Sequence, residues 1–300
     1  MSEYSSQAAF AEIRRLASRY SFVNLETIGY SVMGKPIYSL SIGNNTKEVF
    51  YNGTHHANEW ITTPLLLRFI NDYASAYEKG GNVYGIPAAL LYSIAKLYIV
   101  PLVNPDGLDL VTGELSSGGF YNAAVDISER YPSIAFPNGW KANIAGVDLN
   151  LQYPAGWEEA KRIKYAQGYT SPAPRDFVGY GAVSAPESRA IYRYTLEHNF
   201  KLILAYHTQG RVIYRRYRDY NPPYSKEIGE LMSKESGYSL EQTPSYSDNA
   251  GYKDWFIQDY NLPGYTIEAG LGDNPLPYYQ LDSIYRANLP ILTLGITESR

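Results

Sequence analysis

Cysteine is absent from this 300-residue chain. That excludes disulfides, thiolate catalysis and cysteine-ligated zinc, and leaves the redox compartment open, because a secreted bacterial protein can also lack cysteine. Charge of one sign is scarce as well: the net charge is −4 and the basic residues are scattered without a run, so the footprint of a nucleic-acid or anionic-membrane partner is missing. No segment approaches the roughly 18 apolar residues of a membrane span. Met1-Ser-Glu-Tyr-Ser-Ser has neither the basic nor the apolar block of a secretory leader. The expectation is a soluble protein, cytoplasmic by default, with secretion or cell-wall association as the alternative. Internal repeats and low-complexity linkers are lacking too, and the sequence carries no sign of oligomeric state.

What is present is enough apolar residue, 45%, to bury a sizeable core in one α/β domain. Tyrosine is the outlier, at 31 against 9 Phe and 4 Trp. A ring with a polar tip suits grooves for peptides or glycans, and partly exposed packing is the alternative.

Several segments carry a period. Phe10 to Ala17 and Ile61 to Tyr77 have helical spacing, the latter through Leu65, Leu66, Phe69, Ile70 and Tyr73. Ile37 to Ile42 alternates as a half-buried strand, and Val49-Phe-Tyr51 runs into a turn at His56. Lys96 to Val103 is a continuous apolar strand closed by the turn formers Asn104-Pro-Asp-Gly107. From Glu114 to Gly181 the chain is rich in Gly, Pro, Ser and Tyr without period, which predicts a long irregular excursion forming substrate walls. Pro186 to His198, Ser225 to Ser236 and Asp254 to Tyr260 read as helices, Phe200 to Tyr206 and Gly264 to Ile267 as strands. Pro290 to Ile296 is apolar but too short to classify. Such alternation predicts a sheet covered on both faces, with a site at the carboxyl ends of its strands.

Those strand ends hold His56 and Glu59, then His207, then Glu268. His and Glu three residues apart also meet on any helix face, so the His56-Ala-Asn-Glu59 spacing does not specify an ion by itself. Two imidazoles and a carboxylate are, however, a catalytic zinc donor set with the fourth position left to water, and Glu268 is then spare to act as base. His55 and His198 lack this placement.

Gly53-Thr-His-His-Ala-Asn-Glu-Trp-Ile-Thr62, Asn104-Pro-Asp-Gly107, Gly146-Val-Asp-Leu-Asn150, Ala205-Tyr-His207 and Tyr265-Thr-Ile-Glu268 occur in the order found in the zinc carboxypeptidases of the M14 family, which the chain resembles from about residue 20 to its end. Asp148-Leu-Asn-Leu-Gln-Tyr-Pro-Ala-Gly156 and Tyr206-His-Thr-Gln-Gly210 are similar to the bacterial subgroup that cuts the γ-D-glutamyl to meso-diaminopimelate bond of cell-wall peptides. The resemblance implies one peptidase domain over 1–300, with 1–20 as a lead-in helix, and a mixed, mostly parallel twisted sheet with helices on both faces. It implies one Zn2+ held by His56, Glu59 and His207, with Glu268 as the general base for water. It further implies Tyr246 as a mobile residue closing over the substrate and Asn150 as the ligand of a terminal carboxylate; Gln209 is expected as a further substrate contact. The implied substrate is a murein-derived peptide.

Four positions depart from the family pattern. Leu151 stands where an arginine clamps the terminal carboxylate, which weakens a plain exopeptidase reading. Lys253 falls in the pocket for the released side chain, where a cation favours an anionic group; a solvated surface lysine is the alternative. Ala145 replaces an arginine that serves the oxyanion, so Lys141, Arg211 or another cation is expected to substitute. Ala185 replaces an acid, a second loss that could compensate the first. The competing readings are an ordinary metallocarboxypeptidase, a slow or inactive zinc-containing binder of wall peptides, and a charged core network without metal.

Overall fold

Short apolar strands alternating with amphipathic helices assemble into an eight-stranded mixed sheet with helices around it, seen in a computed structural model that describes residues 4–244 and 248–299. In chain order the elements are α1 (Ser6–Arg19), β1 (Val23–Tyr30), β2 (Pro36–Ile42), β3 (Glu48–Gly53), α2 (Thr62–Glu78), a separate small pair β4 (Asn82–Val83) and β5 (Ile86–Pro87), α3 (Ala88–Ile94), β6 (Lys96–Val100), α4 (Pro105–Thr112), α5 (Gly119–Glu129), α6 (Trp157–Ala166), α7 (Pro186–Leu196), β7 (Phe200–His207), β8 (Val212–Tyr214), α8 (Ser225–Ser236), β9 (Ser239–Glu241), α9 (Tyr252–Tyr260), β10 (Gly264–Glu268) and α10 (Leu281–Thr297).

The sheet order is β1-β2-β6-β3-β7-β10-β8-β9. Its centre, β6-β3-β7-β10, is parallel, and β2 and β8 flank that centre in antiparallel pairing. The chain leaves β3 to form β6 on one side and later forms β7 on the other. The carboxyl end of β3 is therefore the switch point where open α/β sheets leave a crevice.

Strand alternation decides which core each side chain joins. Val49 and Tyr51 of β3 enter the core that contains Leu66, Ile70 and Leu292, whereas Phe50 packs on the opposite face against Tyr194 and Tyr252. Each large apolar side chain removed from water in this way contributes about 1.5–3 kcal/mol.

The structure corrects several expectations. Asn104 is not part of a strand-closing turn: its side chain accepts the Gly107 N–H at 3.0 Å and caps α4, with Pro105 in the first turn, where its missing N–H costs nothing. The excursion from 114 to 181 contains α5 and α6 as well as irregular chain. Pro290 to Ile296 is the second half of α10, which accommodates Pro290 internally. Edge strand β1 and the three-residue strands β8 and β9 carry too little period to be foreseen. Most informative is tyrosine, much of which is core: Tyr51, Tyr153, Tyr252 and Tyr265 are fully buried, their hydroxyls meeting Leu292 O, His55, Thr195 and Ser225 O. Among the described residues, no helix is long and apolar enough to cross a membrane.

Candidate active site

Where β3 ends, Thr54 adopts φ 54°, a conformation that costs a β-branched residue about 1–3 kcal/mol. A buried hydroxyl cluster holds it there. Thr54 Oγ1 lies 2.8 Å from both Thr62 Oγ1 and Thr63 Oγ1, and the Thr54 N–H donates to Thr62 Oγ1 at 2.9 Å. The turn sends His55 inward, where Nε2 meets the Tyr153 hydroxyl at 2.9 Å, and His56 into the cleft. Ala57–Glu59 then forms a single 3-10 turn ahead of α2, so the imidazole of His56 and the carboxylate of Glu59 converge. From the sheet, β7 delivers His207 and β10 delivers Glu268, and these two residues are partners in the parallel register.

The three expected metal ligands meet. His56 Nδ1 is 3.0 Å from Glu59 Oε1, His207 Nδ1 is 2.8 Å from Glu59 Oε2, and the two Nδ1 atoms face each other at 3.2 Å. Asp148, which can only accept, stands 3.2 Å from His56 Nε2, so a neutral His56 ring carries its proton on that side and turns a lone pair inward. Lone pairs gathered around one point require a cation there, either a proton or a metal. Tetrahedral zinc with bonds of about 2.05 Å separates its ligands by ~3.3 Å, close to the edges of this triangle. The His-Glu-His group is therefore one that could hold a metal, and its donor chemistry fits zinc.

Electrostatics around the triangle are strongly coupled. Burial pushes the Glu268 carboxyl up and the Glu59 charge pushes it further, to about 8, against Lys141 and His56. Burial alone would depress His56, but Glu59 and Asp148 lift it to about 9. Glu59 and Asp148 both sit well below the usual carboxylate range, because neighbouring cations and donors outweigh their burial.

Around this centre lies a cleft of about 710 Å³ that includes Asn150, Leu151, Lys253 and Arg175, and an adjoining groove of about 560 Å³ that includes Asn58, Gln209 and Asn274. Lys141 and Glu268 line both, on the divide between them. Lys141 Nζ is 2.7 Å from Glu59 Oε1. Asn150 Oδ1 accepts the Tyr252 N–H at 3.0 Å, which leaves its amide NH2 as the group able to reach a ligand. Lys253 is neither a solvated lysine nor a free cation: it is buried, 2.6 Å from Asp254 and bonded to Thr243 Oγ1 and Arg216 O. Gln209 lies only in the adjoining groove. Tyr246 falls outside the described residues.

Ala145 is corrected by its position. It is exposed and its methyl group lines neither half of the cleft, whereas Lys141 lines both and is the cation found at the centre. Arg211 is exposed and also lines neither half. Ala185, buried against Gln152, does not line the cleft either.

Three site residues, Asp148, Arg175 and Asp176, do not stand out in the sequence. Asp148 sits inside the Gly146-Val-Asp-Leu-Asn motif and could have been found there as the partner of His56. Gly146, at φ 76°, is where that motif turns, and a Cβ would stand 2.9 Å from Pro172. Asp176 and Arg175 belong to the irregular excursion, where no period marks them.

Comparison with known proteins adds to this geometry. The family model for zinc carboxypeptidases, Peptidase M14, matches residues 10–290. Gamma-D-glutamyl-L-diamino acid endopeptidase 1 of Lysinibacillus sphaericus is 40% identical over 294 residues, an alignment covering 98% of this chain and 72% of that protein. The fold is similar to that of bovine thrombin-activatable fibrinolysis inhibitor in complex with tick carboxypeptidase inhibitor, with a TM-score of 0.72 at 18% identity over 99% of this chain and 97% of that one. It is also similar to the murein-tripeptide amidase of Escherichia coli O157, with a TM-score of 0.57 at 17% identity over 90% and 91% of the two chains. With its ligand triangle at the switch point of the sheet and a family match along nearly its whole length, the chain belongs to the M14 zinc carboxypeptidases.

Proposed function

We propose that this chain, acting as one peptidase domain, uses one Zn2+ to hydrolyse the γ-D-glutamyl bond to meso-diaminopimelate in murein-derived peptides. The observation that carries the reading is the convergence of His56, Glu59 and His207 beside Glu268, in a chain 40% identical to an endopeptidase named for the γ-D-glutamyl-L-diamino acid bond. When bound, zinc polarises the scissile carbonyl and makes water acidic enough to be deprotonated near neutrality.

The remaining work falls to side chains. Glu268 takes a proton from the attacking water and returns it to the leaving amine. Glu268, relieved of the repulsion from Glu59 once the triangle held a dication, would ionise at lower pH than the bare site allows. Lys141, on the divide and anchored to Glu59, is the cation for charge developing on the carbonyl oxygen; a donor of this kind is worth about 10²- to 10³-fold in rate. Asp148 orients His56. Asn150, whose amide NH2 donates to no described residue, is the group for a carboxylate on the leaving side, and Leu151 beside it speaks against the guanidinium clamp of an ordinary exopeptidase. Lys253 is better read as a strut of that wall than as a ligand, since its charge is already paired.

The test is digestion of L-Ala-γ-D-Glu-diaminopimelate beside a conventional peptide with a free C-terminus, with zinc counted by metal analysis. Release of diaminopimelate at one zinc per chain, with the conventional peptide left intact, is the expected result. Release of conventional C-terminal residues alone would overturn it.

A further inference from the structure

The murein substrate differs from an ordinary peptide on the acyl side of the cut. A γ-linked glutamyl residue keeps a free α-carboxylate three carbons from the scissile carbonyl, where an α-linked chain has none. We infer that Arg175 is the specificity-determining residue that binds this carboxylate, an assignment that rests on the reaction proposed above.

Four cations line the cleft, and they differ in what they have left to give. Lys253 is saturated by Asp254, Thr243 and Arg216 O, and Lys141 is held on Glu59. Lys164 and Arg175 share one carboxylate, Asp176, at 2.5 and 2.6 Å. The other carboxylate close by, Asp148, is turned to His56 Nε2 and to the Asp176 N–H, so Asp176 is the one carboxylate that these two cations bond directly. Arg175 spends only its Nε on Asp176, and no described residue accepts from its terminal nitrogens. Those two nitrogens form the planar fork that matches a carboxylate.

Placement supports the same partner. Arg175 lines both the main cleft and the adjoining groove, as Lys141 and Glu268 do, so it stands on the divide between the two halves and not at the far end of either. The leaving-side carboxylate already has Asn150, and no other arginine lines either half of the cleft among the described residues. Its backbone is fixed in register with the centre, because the Pro174 carbonyl accepts the N–H groups of both Lys141 and Ala142, at 2.8 and 2.9 Å. The side chain remains 43% exposed, accessible to a substrate and half shielded from water.

The experiment compares L-Ala-γ-D-Glu-diaminopimelate with the same peptide carrying an amide in place of the D-Glu α-carboxylate. Wild-type kcat/KM should favour the acid by about 10- to 100-fold, the worth of a charged hydrogen-bonded pair. In Arg175→Gln the preference should collapse to within about twofold, and Arg175→Lys should retain part of it, with zinc content and circular dichroism checking that each variant is loaded and folded. Equal wild-type cleavage of both peptides overturns the assignment without any variant, as does a preference that survives in Arg175→Gln or an equal loss on both peptides. Cleavage of neither peptide by wild type overturns the proposed reaction, and the role of Arg175 with it.

Discussion

Glu268→Gln separates chemistry from architecture most cleanly. The carboxyl is half-buried, no described residue donates a hydrogen bond to it, and it is held up to about 8 by burial and by Glu59. Glutamine keeps the shape, removes the charge and cannot take a proton. Turnover should fall about 10²- to 10⁴-fold, the usual contribution of general acid–base catalysis, while zinc stays at one per chain because Glu268 is outside the ligand triangle. A second readout comes from the metal-free protein. An acid whose folded pKa is raised penalises folding once it must ionise: the penalty is absent below its ordinary value of 4.5, grows up to about 8, and is constant beyond. The displacement sets a ceiling of ~5 kcal/mol, which solvent at the open side of the carboxyl reduces to ~2 kcal/mol. Urea melts of the metal-free wild type and variant should therefore coincide near pH 4.5 and separate in favour of the variant towards pH 9. Turnover within tenfold of wild type, loss of zinc, or melts that stay parallel across this window would refute the placement of Glu268.

Lys141→Met should lower kcat about 10²- to 10³-fold with zinc retained, and Lys141→Arg should recover much of it, as measured by steady-state kinetics with metal analysis. Asp148→Asn removes the acceptor that fixes His56 Nε2 and should weaken zinc binding about 10- to 100-fold in a chelator competition. Because His56 is held protonated up to about 9 and Glu268 up to about 8 in the bare site, zinc uptake at pH 7 should release between about one and two protons, and affinity should rise with pH until about 9. Calorimetry in buffers of different ionisation enthalpy reads this release directly, and uptake without proton release contradicts the charge state assigned to His56.

The ligand set was legible because each member sits where a pattern changes. His56 follows the end of a short apolar strand, His207 ends Phe200 to Tyr206, and Glu268 ends Gly264 to Ile267. A parallel sheet brings such ends to one rim whatever the intervening loops do, so the strand ends alone predict the meeting of residues separated by 151 positions. The segment 114–181 offers no such rule. Outside α5 and α6 its course is set by single hydrogen bonds between irregular stretches, and neither Lys141 over Glu59 nor Arg175 behind Pro174 follows from a period.

Ala145 makes the point in one residue. Read along the chain, a missing arginine directly before Gly146-Val-Asp suggested a site short of a cation. In space, Asn143 closes a tight turn on Val147, with Val147 O accepting the Asn143 N–H at 2.8 Å and Asn143 Oδ1 accepting the N–H groups of Ala145 and Val147. The turn tips position 145 out to solvent and leaves Lys141, four residues earlier, laced to the zinc segment through the bond from Ala57 N–H to its carbonyl. Lys141 already lines the cleft as its cation, so Ala145→Arg should leave kcat within about twofold of wild type, as expected for a substitution at an exposed position. A gain of tenfold or more would mean that the segment moves in solution and that Lys141 is not the resident cation.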